Sequence, residues 1–62
     1  MFPSLKSELQ SLKDNTQVQI YLDHEMIFQG TVKGAKVYIQ DNGYLVKSKY
    51  CDAGCILFTV VV

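Results

Sequence analysis

The chain has 62 residues, enough for one domain, and a domain of this size buries only about 60% of the surface that its unfolded chain exposes. Six lysines balance six acidic residues, so the net charge is zero and gives no general attraction for nucleic acid or membranes. Hydrophobic residues make up 48% of the chain, a composition that predicts a folded domain and excludes an intrinsically disordered one.

The first predicted element is an amphipathic helix over residues 4–14. Leu5, Leu9 and Leu12 recur at the spacing of one helical face, and Ser4 is of a type favoured at the N-cap. The hydrophobic period changes near residue 15, where we expect the helix to give way to a sheet.

Five strands are predicted after the helix. Alternating or continuous apolar residues place them at residues 17–22, 26–33, 36–41, 44–50 and 55–62. Gly30 lies inside the second strand, which predicts a bulge or a sharp bend. Turns are predicted at Asp23-His24-Glu25, at Asp52-Ala53-Gly54 and at Asp41-Asn42-Gly43, where the Asn-Gly pair favours a hairpin. A single domain over residues 1–62, mainly β with one N-terminal helix, is the predicted fold, arranged as a five-stranded SH3-like small barrel.

The last predicted strand is almost continuously apolar. Such a strand needs cover on both faces, which so small a barrel cannot supply. We therefore expect it to pair with a neighbouring subunit in a homo-oligomer.

Chemistry-bearing residues are few. Cys51 and Cys55 are separated by three residues, and His24, the single histidine, lies in a different turn, so we expect no metal and no other cofactor. His24 and Glu25 have no nucleophile beside them, so enzyme activity is not expected. No run of about 18 apolar residues is present, and we expect a cytoplasmic protein with reduced cysteines.

The segment from Val18 to Gly34 resembles the first sequence motif of the Sm-like superfamily, in the form found in the bacterial Hfq RNA chaperones. The matching residues are Val18, Ile20, Tyr21, Leu22, Phe28, Gln29 and Gly30. The ending Phe58-Thr59-Val60-Val61 is similar to the end of the Hfq core. The Tyr-Lys-His of the second Sm motif has no clear counterpart in this chain.

This resemblance implies an Sm-like barrel that assembles into a homo-oligomeric ring, with a hexamer favoured. It further implies binding of single-stranded, A-rich RNA in post-transcriptional regulation. The residues at the corresponding RNA-binding positions are Tyr21, Met26, Phe28, Gln29 and Lys6. Asp23 and Glu25 would repel phosphate, so weak binding is expected.

Two other interpretations are consistent with the sequence. One is an Sm-like structural or protein-interaction module without RNA binding, such as a phage or mobile-element adaptor. The other is a monomeric SH3-like domain that binds peptide in an aromatic groove. If RNA is not bound, Tyr21 and Phe28 are expected to be core or subunit-interface residues, and the lysines solvated surface charges.

Overall fold

The computed structural model describes residues 2–39 and 43–62 as one sheet with two helices. The elements in chain order are α1 (Leu5–Gln10), β1 (Gln17–Leu22), β2 (Glu25–Thr31), α2 (Val32–Tyr38), β3 (Leu45–Asp52) and β4 (Cys55–Val61). The strand order is β2-β1-β4-β3, so β2 and β3 are the edges of an open sheet. The prediction of a mainly β domain with an N-terminal helix is confirmed, but the described residues form four strands, not the five of the predicted barrel.

Helix α1 begins where the sequence predicts. The Ser4 hydroxyl oxygen accepts a hydrogen bond from the Ser7 backbone N–H at 3.2 Å, which satisfies a donor that the first turn leaves free. Leu5 and Leu9 are fully buried. The helix ends at Gln10, earlier than the predicted residue 14.

Helix α2 occupies residues for which the sequence predicts strands. The strand predicted over residues 26–33 ends at Thr31, and the strand predicted over residues 36–41 is wrong because residues 36–38 are helical. Thr31 caps the helix by accepting a hydrogen bond from the Gly34 N–H at 3.3 Å. Val32, Ala35 and Ile39 are buried, at the spacing of one helical face. Of the predicted Asp41-Asn42-Gly43 turn, Asp41 and Asn42 lie outside the described residues.

The segment before β1 holds α2 in place. The carbonyl of Thr16 accepts from the Val32 N–H at 2.9 Å, and the carbonyl of Asp14 accepts from the Lys33 N–H at 3.1 Å. The Asp14 carboxylate also pairs with the Lys36 ammonium at 3.1 Å. Donors at the start of α2 are therefore satisfied by residues far away in sequence, which a local pattern does not reveal.

Both hairpins close through two-residue turns, Asp23-His24 and Ala53-Gly54, which lie within the longer turn segments that the sequence predicts. The central residues have positive φ angles: 53° at Asp23 and 69° at His24, then 49° at Ala53 and 82° at Gly54. Positive φ at both central positions is typical of the type I′ turn, whose twist matches that of paired strands.

Gly54→Ala should lower the free energy of unfolding by about 1 kcal/mol, because an L side chain is disfavoured at positive φ. The measurement is the urea midpoint at unchanged slope. Gly43→Ala is the matched control, since a Cβ there has no atom within 4 Å. Equal losses in the two variants would contradict this account of the turn.

Strand β4 is central in the sheet. It runs parallel to β1 on one side, with Gln17 opposite Cys55, and antiparallel to β3 on the other, with Leu45 opposite Val61. Both edges of β4 are thus occupied within the chain. The expectation that the last strand pairs with a neighbouring subunit is therefore wrong.

Gly30 has a different role from the predicted bend. The bulge in β2 lies where Ile20 pairs with Phe28 and Tyr21 pairs with Met26, which leaves Ile27 as the extra residue. A Cβ on Gly30 would lie 3.1 Å from Phe28 Cζ, and a Cβ on Gly34 would lie 3.3 Å from the same atom. A side chain at Gly30 would therefore need the Phe28 ring to shift.

Candidate interaction surface

The two faces of the sheet have different surroundings. On the inner face, side chains of β1, β3 and β4 pack with Leu5 and Leu9 of α1 and with Val32 and Ala35 of α2. The buried residues that the sheet contributes to this core are Val18, Ile20, Val46, Phe58 and Val60. Both helices therefore lie on the inner face, and the described residues place neither a helix nor a strand on the other side.

We call that other side the outer face. The strand registers arrange its side chains in three rows across β2, β1, β4 and β3. The rows are Thr31-Gln17-Cys55-Asp52, Gln29-Gln19-Leu57-Tyr50 and Met26-Tyr21-Thr59-Ser48, with Val61 and Leu45 continuing on β4 and β3. Besides the Cys55 thiol, the side chains in these rows are amides, hydroxyls, aromatics and aliphatics, and Asp52 is the single charged one.

Aromatic and apolar side chains on the outer face are accessible. Tyr50 is 64% exposed and Met26 is 45% exposed. The Tyr21 hydroxyl donates a hydrogen bond to Gln19 Oε1 at 2.7 Å, which fixes the orientation of a half-buried ring. The outer face is thus a partly ordered surface that combines apolar contact area with amide groups, a composition suited to burial against a partner.

Two charged residues of the edge strand β3 lie beside the outer face. Asp52 ends this strand, and Lys47 is the extra residue of a bulge between Val46 and Ser48. Both are exposed, and neither forms an ion pair within residues 2–39 and 43–62. By contrast, the Lys49 ammonium lies 3.7 Å from a Glu8 carboxylate oxygen of α1, on the inner side.

The residues that the resemblance assigns to RNA binding are divided between the two sides. Tyr21, Met26 and Gln29 lie together on the outer face. Phe28 lies on the inner face, where its ring is 5.2 Å from that of Tyr38. Lys6 is exposed on α1, which also packs on the inner face.

Sequence reasoning missed Tyr50, Leu57 and Gln19 as members of the same surface. The alternation of Gln19 with buried neighbours was visible in the sequence. The position of Gln19 beside Leu57 could not be predicted, because it depends on the parallel register of β1 and β4.

The remaining chemistry-bearing residues do not converge. Cys51 pairs with Ile56 on the inner face, whereas Cys55 pairs with Gln17 on the outer face. Among the described residues, His, Cys, Asp and Glu form no group of three or more that could hold a metal ion. Neither described helix has the length and apolar character needed to cross a membrane.

No protein-family model, curated protein or solved structure matches this chain. The candidate surface is therefore defined by its own geometry.

Proposed function

We propose that this chain is a protein-interaction module and that the outer face of its sheet is the binding surface. The observation that carries the proposal is an accessible sheet face whose rows hold apolar, aromatic and amide side chains and one charge, Asp52. Protein interfaces are enriched in tyrosine and methionine at their centres and depleted of lysine and acidic residues there. Tyr21, Tyr50 and Met26 fit that composition.

Charge placement supports a protein partner over a nucleic acid. Nucleic-acid affinity comes largely from cations that neutralise phosphates. The rows of the outer face contain no lysine, and Lys47 lies at its edge. Lys36 and Lys49 are engaged by Asp14 and Glu8 on the helical side.

Site-specific photo-crosslinking in the native cell tests this proposal. A benzophenone amino acid in place of Tyr50 should yield adducts with protein, because that side chain lies on the outer face. The same replacement at Tyr38, a 43% exposed tyrosine of α2, is the matched control and should yield few. Adducts with RNA alone, no adducts, or equal yields at the two positions would contradict the proposal.

A second candidate is the Hfq-like function that the resemblance implies: an Sm-like ring, with a hexamer favoured, that binds A-rich single-stranded RNA. One observation favours it, since Tyr21, Met26 and Gln29 share the outer face, where an aromatic ring and an amide could stack on and pair with bases. In such a ring the subunits would join through the edges β2 and β3, because β4 is paired on both sides.

If RNA binds the outer face, Tyr21→Ala should weaken oligo-A binding at least about fivefold, since stacking on an aromatic is worth on the order of 1–3 kcal/mol per base. Lys6→Ala should leave that affinity nearly unchanged, because Lys6 lies on the helical side. Fluorescence anisotropy with labelled oligo-A and oligo-U at low salt measures both. Wild-type protein that binds neither oligonucleotide would eliminate this candidate.

A further inference from the structure

We infer that the partner of the outer face is a second copy of this chain, packed face to face about a two-fold axis that runs across the strands. This inference rests on the proposed function and names its partner. The product is a two-layer sandwich of sheets, with the helices of each copy on the outside. Two sheets pack in this way at about 10 Å, with side chains from both faces meeting in between.

The charges at the edge strand select this axis. A two-fold axis across the strands places β3 of one copy over β3 of the other copy, and the two strands run antiparallel. The end of β3 that carries Asp52 then faces the end that carries Lys47, so two opposite-charge pairs form across the interface. An axis along the strands would instead set Asp52 against Thr31 of β2, leaving this carboxylate without an opposite charge at a desolvated edge.

The middle row lies on the same axis. Leu57 and Tyr50 of one copy then meet the equivalent residues of the other, so the apolar part of the face is covered by an identical surface. Such isologous contact is the usual geometry of a two-fold dimer. A neutral chain with net charge zero also has no overall repulsion to overcome.

The available area fits a reversible dimer. The two longer axes of the molecule measure 25 and 21 Å, so a flat face covers at most about 500 Å². Two such faces bury at most about 1,000 Å² in total, near the lower limit for a specific interface. We therefore expect dissociation in the micromolar range.

Sedimentation equilibrium of the purified chain, from low to high micromolar concentration, measures this association. Leu57→Lys and Tyr50→Lys should each weaken the dimer at least about tenfold, because each places a charge on the two-fold axis. Val37→Lys is the matched control: Val37 is 68% exposed on α2, so that variant should dimerise as the wild type does. Circular dichroism checks that each variant is folded. Two positions are substituted so that the test remains valid if one of the two variants does not fold.

A charge exchange tests the axis itself. Asp52→Lys and Lys47→Asp should each weaken the dimer by about fivefold, since each single variant sets like charges opposite one another twice. Combining them restores opposite charges and should bring the dissociation constant back to within about twofold of wild type. A double variant weaker than either single variant would overturn the inference.

The outcomes separate the inference from the proposed function. A wild-type chain that stays monomeric at high micromolar concentration overturns the inference. If the Tyr50 crosslinker still forms adducts with other proteins, the proposed function stands with a different partner. If it forms none, both fail.

Discussion

A chain that ends at Phe58 should not fold. The truncation removes residues 59–62, and with them the half of the central strand that pairs with Tyr21 and Leu22 on one side and with Leu45 and Val46 on the other. It also removes the buried Val60 side chain, whose burial is worth roughly 1.5–3 kcal/mol. A domain of this length has about 3–9 kcal/mol of total stability, and the unpaired backbone groups cost a further 1–3 kcal/mol each.

Far-UV circular dichroism and one-dimensional NMR measure the result. Deleting Val62 alone is the control, because this residue is 90% exposed and follows the last strand. The defect should not depend on protein concentration, since the pairs that it breaks lie within one chain. A truncated protein that refolds as its concentration is raised would indicate that β4 pairs between subunits after all.

Gly30→Val should destabilise the domain by more than about 2 kcal/mol. The new Cβ would lie 3.1 Å from Phe28 Cζ, so the ring must move. The ring has little freedom to do so, because Gly34 of α2 is also close to it and Tyr38 packs beside it at 5.2 Å. Chemical denaturation gives the loss directly.

Combining Gly30→Val with Phe28→Leu should recover part of that loss, because a shorter side chain frees the space that the valine takes. The relevant quantity is the interaction energy from the double-mutant cycle, expected to be stabilising by about 1 kcal/mol. Phe28→Leu alone supplies the baseline. If Gly30→Val melts at the wild-type temperature, the Phe28 ring moves aside at little cost, and its contact with a side chain at position 30 does not limit stability.

Elements with a local signal could be predicted from the sequence. Ser4 and the leucine spacing locate the start of α1, and the alternation around Val18 and Ile20 predicts β1 over the residues that it occupies. The turns at Asp23-His24 and Ala53-Gly54 also lie where polar or small residues predict them. In each case the residues that form the element are close together in the chain.

Helix α2 could not be predicted in the same way. Valine, isoleucine and tyrosine in residues 32–39 favour strands, and Gly34 disfavours a helix. The helical face of Val32, Ala35 and Ile39 was present, but its decisive supports are the carbonyls of Asp14 and Thr16 and the Asp14 carboxylate. Tertiary contacts therefore outweighed local propensity.

The candidate surface was predicted only in part. Simple alternation places Met26 and Phe28 on one side of β2, yet the bulge at Ile27 puts Met26 with Tyr21 on the outer face and leaves Phe28 on the inner face. A bulge depends on the partner strand, so the sequence of β2 alone does not reveal it. The parallel pairing of β1 with β4 adds Leu57 to this surface, and the sequence of either strand alone does not reveal it either.

The parallel ladder between β1 and β4 has a consequence for folding kinetics. Each antiparallel hairpin closes over a two-residue turn, a process that takes on the order of 1–10 μs in isolation. The ladder that joins them pairs Gln17 with Cys55, so more than half of the chain must be closed into a loop before the first contact forms. Docking of the two hairpins should therefore be rate-limiting, and contacts such as Ile20 with Phe58 should form in the transition state. Substitutions there should slow folding. Because the hairpins form before the docking step, a destabilising substitution at a hairpin turn, such as Gly54→Ala, should also lower the folding rate and leave the unfolding rate nearly unchanged.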